Sequence, residues 1–221
     1  KTDAFDVQNG LVSEPIWKTS AVNPSTENSG AGGASVKLGG IGKLGHGERT
    51  GIEWSVTGPG FVGFDWKVSS EQDWDVLRFY EVGVGETNQI SGTGQGWIRV
   101  SIEVSGDAET SHTFRWEYEK DPIGDSIGDD AGWVDAITWT PKFTLAVEDG
   151  NGDGWYTNGS PVAISADVSA PHYEFDRWTG DTNRVANVFS AITTLTMPFT
   201  NVVLTATYKP ILYPLTVVNG S

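Results

Sequence analysis

Apolar and polar residues alternate with a period of two along most of this chain, and helical periodicity is almost missing. The clearest runs are IEWSV (52–56), FVGFDWKV (61–68), VLRFYEV (76–82), WIRVSIEV (97–104), HTFRWEYE (112–119) and WVDAITW (133–139). Each is β-branched and aromatic and is bounded by Gly, Pro, Asp or Asn, which predicts a short strand. Many short strands in succession predict an all-β, antiparallel sandwich or barrel. We expect a jelly-roll β-sandwich over residues 1–141.

Alternation also sorts the side chains. Ile52, Trp54 and Val56, then Val62, Phe64, Trp66 and Val68, then Phe114, Trp116 and Tyr118 each share one face of a strand. These are expected to form the core, which accounts for most of the ten tryptophans. The opposite faces carry Asp65 and Lys67, Arg78 and Tyr80, Arg99 and Ser101, Arg115 and Glu117, which should look at water or at a ligand.

A second unit is expected over 142–209, where FTLAV (143–147), a Gly-rich turn, PVAISADV (161–168), YEFDRWTG (173–180), TTLTMP (193–198) and NVVLTATY (201–208) read as a small β-rich domain. Trp155 and Trp178 are its expected core. Leu215, Val217, Asn219 and Gly220 then repeat Leu145, Val147, Asp149 and Gly150 at an offset of 70 residues. Residues 210–221 are therefore read as the start of a truncated further repeat, and the chain as a piece of something longer. β units repeated in a row serve as spacers on surface proteins or large secreted enzymes.

Within VEDGNGDGWY (147–156), Asp149, Asn151 and Asp153 stand on alternate positions, as at the opening of an EF-hand loop. The twelfth position, however, is Ser160 where a bidentate Glu is needed, and no helix flanks the segment. Asp-Gly and Asn-Gly tolerate positive φ and form hairpin turns, so the turn reading is the stronger of the two.

Charge and composition narrow the function. There are 14 basic and 29 acidic residues, for a net charge of −15. Nucleic acid and anionic membranes both need a basic face, so neither is expected as the main partner. Cysteine is absent, which excludes disulfides and thiolate metal sites. No apolar run approaches the length of a membrane span, so no membrane insertion is expected, and no signal peptide is evident. The acidic, Gly-, Thr- and Trp-rich composition suits a secreted or cell-surface bacterial protein, expected to be monomeric as a fragment. His46, His112 and His172 stand in no metal-ligand pattern, and no GxSxG elbow occurs. Glu117, Glu119 and Asp121 share a strand face and mimic the paired carboxylates of a glycosidase, but the jelly-roll glycosidase signature Glu-x-Asp-x-x-Glu is missing. We expect no enzyme here.

Two stretches carry family likenesses. VTGPGFVGFDWKVSSEQDWDVLRFY (56–80), ISGTGQGWIRVSIEV (90–104), HTFRWEYEKD (112–121) and DDAGWVDAITW (129–139) together resemble a bacterial extracellular jelly-roll domain, of the kind related to MAM and carbohydrate-binding sandwiches. Such domains ride on peptidases, glycosidases and adhesins alike. YEFDRWTGD (173–181) and LTMPFTNVVLTATY (195–208) resemble the bacterial repeat related to the internalin B-repeat. That likeness implies a small β-grasp-like domain carried in arrays by cell-surface proteins.

Two candidate sites follow. In DPIGDSIGDDAGWVD (121–135), Asp121, Asp125, Asp129, Asp130 and Asp135 place five carboxylates among glycines that let the backbone curl. A Ca2+ ion there would cancel like-charge repulsion and pin the last strand; a structural calcium near terminal strands is also what the carbohydrate-binding likeness implies. The plain alternative is a solvated acidic loop. For a polysaccharide or cell-surface glycan, exposed rings must stack on sugar faces with polar groups alongside. Trp74, flanked by Asp73 and Asp75 in a loop, is the strongest candidate. Arg78, Tyr80, Arg99 and Arg115 on non-core faces could line a groove, and Trp97 and Trp133 stand at strand starts as rim candidates, each with edge packing as the alternative. The function expected is a non-catalytic carbohydrate-binding or adhesive module followed by a spacer repeat. The alternative is a structural or protein-docking domain beside a secreted hydrolase.

Overall fold

The alternating runs between 52 and 139 become strands whose apolar faces turn inward. The computed structural model describes residues 21–27, 29–30 and 34–214. Most of the expected further repeat, residues 215–221, lies outside the described residues. The chain divides into two compact units, Lys1–Thr140 and Pro141–Ser221.

The first unit contains β1 (Val22–Ser25), β2 (Ser35–Gly39), β3 (Arg49–Thr57), β4 (Gly60–Ser69), β5 (Val76–Glu81), β6 (Gly85–Ser91), β7 (Ile98–Val104), β8 (Ser111–Glu119) and residues 131–140 of β9 (Ala131–Glu148). One sheet has the order β1-β2-β9-β4-β7 and the other β3-β8-β5-β6. From β2 onward each link crosses between the sheets, except the β5–β6 hairpin, and this is jelly-roll connectivity. Antiparallel register is longest between β3 and β8, from Arg49↔Glu119 to Thr57↔Ser111.

Between the sheets, Ile52, Trp54, Val62, Phe64, Trp66, Val68, Phe114, Trp116 and Tyr118 are buried as alternation requires, with Val56 half-buried against them. Phe64 is the hub: its ring lies 4.6 Å from Phe79, 5.2 Å edge-on from Trp116 and 5.4 Å edge-on from Trp66. Edge-to-face contacts of this kind add to the burial term because the positive rim of one ring meets the negative face of the next. In β9 the period of two fails at Ala136, whose φ is 48°. That local twist lets Val134 and Ile137, three apart, both reach the core.

The second unit is built from residues 141–148 of β9, β10 (Gly150–Asn151), β11 (Gly154–Thr157), β12 (Pro161–Ala166), β13 (Tyr173–Gly180), β14 (Ile192–Thr196) and β15 (Val202–Pro210). One sheet runs β11-β9-β15-β13 and a smaller one β10-β12-β14. The central pair β9/β15 is parallel, from Val202↔Leu145 to Thr205↔Glu148, while β11 and β13 are antiparallel to their neighbours. First and last strands parallel at the centre is the β-grasp-like arrangement.

Trp178, 2 % exposed, fills this unit's core with Leu145, Ile164, Leu195 and Leu204. A bulge between Phe175 and Arg177 adds one residue, so Phe175 also faces inward, 5.7 Å from Trp178. Trp155 departs from expectation. It pairs with Thr144, on the face opposite Leu145, and is half-buried; Tyr156 packs on the core in its place. The one-residue parity of a strand decides which of two adjacent aromatics goes inside.

Candidate functional site

Trp74 sits on the β4–β5 turn, which is fixed from several sides. The Asp75 amide donates to the Glu71 carbonyl at 3.2 Å, and the Ser70 hydroxyl donates to the Asp75 carbonyl at 2.7 Å. The Asp73 amide donates to Ser91 Oγ at 3.0 Å, and the Asp73 φ of 67° turns the chain sharply. Trp74 is thereby held 61 % exposed on an ordered backbone. Beside it lie Glu71, Asp121, Ile123 and Gly124, which with Trp74 line a cleft of about 270 Å³. Ligand pockets run roughly 300–1,000 Å³, so this space suits one small ring rather than a large ligand.

Two carboxylates converge on Gly124. A β-carbon placed there would stand 2.8 Å from Glu71 Oε2 and 3.5 Å from both carboxylate oxygens of Asp121. Glycine at this position, with φ of 126°, keeps the cleft open. Glu71 Oε2 is buried and has no hydrogen-bond partner among the described residues. Asp121 is positioned by its own amide, which donates to Asp75 Oδ1 at 2.9 Å. The cleft therefore offers an indole face and two acceptor groups. Glu71, Ile123 and Gly124 have no sequence signal that would single them out; the fold brings them to Trp74.

Arg78, Tyr80 and Arg115 also meet, on the outer face of the β3-β8-β5-β6 sheet. Cross-strand register sets Tyr80 opposite Arg115, Arg115 opposite Glu53, and Arg78 opposite Glu117. These groups bind one another. Tyr80 donates to Glu117 at 2.6 Å, Arg115 donates to Tyr80 Oη at 3.0 Å and pairs with Glu53, and Arg78 pairs with Glu119. Arg49 approaches the buried Glu117 at 3.5 Å. Burial, then the hydrogen bond to Glu117, raises the Tyr80 hydroxyl above its ordinary value. A groove of about 510 Å³ opens over Arg49, Arg78, Tyr80, Glu117 and Glu119. Each of the three arginines on this face thus meets a glutamate, and Glu81 at the groove's edge pairs with His112 at 2.7 Å.

The remaining ring and cation candidates lie on the other sheet. Arg99 pairs with Asp65 at 3.3 Å and donates to the Ala136 carbonyl at 3.1 Å. Trp97 is half-buried with the Lys67 ammonium 5.6 Å from its ring. Trp133 is fully buried, with Lys67 at 4.5 Å and Lys37 at 4.7 Å from the ring centre. The structure brings neither Trp97 nor Arg99 to the Trp74 cleft or to the Tyr80 face.

The five aspartates of 121–135 are not gathered, and among the described residues no group of three or more acidic or imidazole side chains is arranged to hold a metal. Asp125 and Asp129 are exposed, Asp121 lines the Trp74 cleft, and Asp135 accepts from the Ser29 amide at 2.7 Å. Asp130 is buried and accepts from Lys120 Nζ with both oxygens at 2.6 Å. Lys120 Nζ also lies 3.2 Å from Asp75 Oδ2, and Tyr118 and Ser126 donate to Asp130 at 3.3 and 3.1 Å. The five side chains point to different surroundings and form no shared cage for a calcium ion; of them only Asp130 meets the Lys120 ammonium. Burial works to raise the Asp130 carboxyl, but hydrogen bonding to Lys120 overrides it and holds the group below its ordinary value. Burial raises Asp75, and contact with Asp130 adds to the rise.

In the DGNGDG turn the Asp153 carboxylate and the backbone are tied to the protein. Asp149 adopts φ of 56°, Asp153 Oδ1 accepts from the Val147 amide at 2.9 Å, and Asn151 donates to Asp167 at 3.0 Å. Tyr208 Oη reaches the carbonyls of Asp149 and Asp167 at 3.1 and 2.8 Å, closing the turn from the other side.

Among the described residues no helix is long and apolar enough to cross a membrane. No curated protein matches the chain in sequence. The chain is similar to several solved structures, among them the following two. The secreted serine protease VesC from Vibrio cholerae is 17 % identical with a TM-score of 0.40, over 54 % of this chain and 24 % of the protease, so the chain spans about a quarter of that protein's length. TmCBM61, solved in complex with beta-1,4-galactotriose, is 19 % identical with a TM-score of 0.37, over 57 % of this chain and 86 % of that one. Residues 143–212 match the family profile of the divergent InlB B-repeat domain, which places the second unit, though not the chain as a whole, among bacterial repeats of that kind.

Proposed function

We propose that the first unit is a non-catalytic glycan-binding or adhesive module of a secreted or cell-surface bacterial protein, with Trp74 as its sugar platform and the second unit as a spacer. The observation that carries this reading is the exposed indole on a fixed turn with Glu71 and Asp121 at its edge. A pyranose presents an apolar C–H face and an equatorial rim of hydroxyls. The face stacks on the indole, and the hydroxyls donate to the two carboxylates, which accept without giving protons. Because the turn is already ordered, binding loses little conformational entropy.

Both polar partners are anionic and the chain carries −15, so the ligand class is a neutral polysaccharide rather than a uronic or sulfated one. The test is affinity electrophoresis and calorimetry of the chain and of Trp74→Ala against neutral and anionic polysaccharides. Retention by a neutral polymer that is lost in Trp74→Ala, with the melting temperature unchanged, is the expected result. No retention by any polymer moves the module to a structural or docking role. Release of reducing ends from a bound polymer, abolished by Glu71→Gln, overturns the non-catalytic reading.

A further inference from the structure

Lys120, Asp75 and Asp130 form a sealed cluster at one end of the sandwich. Their side chains are between 1 and 2 % exposed. Asp130 grips Lys120 Nζ with both oxygens, while Asp75 approaches the same nitrogen from the other side with Oδ2 and is held by the Asp121 amide through Oδ1. A primary amine is thus fixed against a carboxyl group, with a second carboxylate in contact with both and water excluded. An ion pair of this kind is weak evidence for stability, because removing three charged groups from water opposes their attraction. The same arrangement is a reaction geometry: fixed neighbours react as if at very high effective concentration.

We propose that Lys120 and Asp75 condense into an intramolecular isopeptide bond, with Asp130 as the proton-transfer group. Two carboxyls in contact favour sharing one proton; burial favours it on Asp75, while the hydrogen bonds from Lys120 favour the carboxylate form of Asp130. Asp130 takes a first proton from the Lys120 ammonium. The freed Nζ adds to Cγ of the Asp75 carboxylic acid, forming the C–N bond. Asp130 then passes its proton to the departing hydroxyl as it takes the second proton from Nζ; the C–O bond breaks and one water leaves. The products are a neutral amide, one water and a protonated Asp130. No oxidant, metal or cofactor enters the balance, and the buried charges disappear. The link would join residues 45 apart in sequence, tying the start of β5 to the end of β8.

The test is the intact mass of the purified, unfolded chain. The expected value is one water below the sequence mass for the native chain and the full sequence mass for Lys120→Arg. Trypsin should leave the bond after Lys120 uncut and yield a branched peptide joining the segments that contain Asp75 and Lys120. An unshifted native mass overturns the proposal, and this reading needs no variant to fold. So does a water loss that persists in Lys120→Arg, or one that maps to a succinimide at Asp149-Gly150 or Asp153-Gly154.

Discussion

Before any amide forms, Lys120 stands between Asp75 and Asp130 as an internal cation; replacing it by Met removes that cation together with any cross-link to Asp75, and leaves both carboxyls in place. Each retains part of its hydrogen bonding: Asp75 keeps the Asp121 amide, and Asp130 keeps Tyr118 and Ser126. What is lost is the ammonium 2.6 Å from both oxygens of Asp130 and 3.2 Å from Asp75, in a site no more than 2 % exposed. Removing one partner of a buried pair costs about 3–5 kcal/mol, since a charge is left uncompensated. For a unit of this size that corresponds to a fall of roughly 6–20 °C in melting temperature. The assay is thermal and urea unfolding followed by near-UV circular dichroism, which reports the tryptophan-rich core. The pH dependence supplies the sign. In the variant, both carboxyls are buried without a cation, so their folded-state values lie above the unfolded value of about 4. The folded state then takes up protons more readily than the unfolded one, and the deficit shrinks as pH falls from 7 toward about 4. Adding Asp75→Asn and Asp130→Asn to Lys120→Met should recover part of the loss at pH 7, and Asn tolerates the φ of 56° at position 130. A deficit below about 1 kcal/mol at pH 7, or one that grows on acidification, would mean that Lys120 does not compensate the two buried carboxyls.

Other substitutions separate site from scaffold. Gly124→Ala should weaken glycan retention, because its β-carbon would stand 2.8 Å from Glu71 Oε2 inside the cleft; calorimetry at a temperature where both forms are folded checks this. Tyr80→Phe removes the donor to Glu117 and the acceptor for Arg115, and should cost about 1–3 kcal/mol in urea unfolding because the buried carboxylate loses a partner. Trp178→Ala should destabilise the second unit by about 3–5 kcal/mol, and Trp155→Ala by less than half of that. Equal losses for those two tryptophans in denaturant unfolding would contradict the strand parity described above.

How much of this was legible from sequence depended on whether packing or assembly decided the position. Phe64, Trp66, Phe114 and Trp116 announce themselves, because an aromatic on every second residue can be buried only on a two-sided sheet. The repeat unit was legible in the YEFDRWTGD and LTMPFTNVVLTATY stretches, and Trp178 with it. β6, GETNQIS, shows no apolar alternation because it lies at a sheet edge, and β1 and β2 are too short to carry a period. Trp155 was misplaced since alternation alone cannot say which of two adjacent aromatics faces in. Around the candidate site, Trp74 stood out by composition and context, whereas Glu71 and Ile123 reach it only through the fold. Within the acidic run 121–135, spacing does not tell that Asp130 turns inward to Lys120 while Asp125 and Asp129 stay exposed, because the contact is made by the fold.

The parallel pairing of β9 with β15 gives the second unit a mechanical character. Tension on a chain held at both ends of this unit would draw β9 backward and β15 forward along their shared axis. The bonds between Leu145–Glu148 and Val202–Thr205 would then be loaded together in shear rather than peeled one at a time. Rupture in that geometry requires several hydrogen bonds and the packing of Leu145, Val202 and Leu204 to fail at once. A unit wired in this way resists extension better than a hairpin of the same strand length, whose bonds open one at a time.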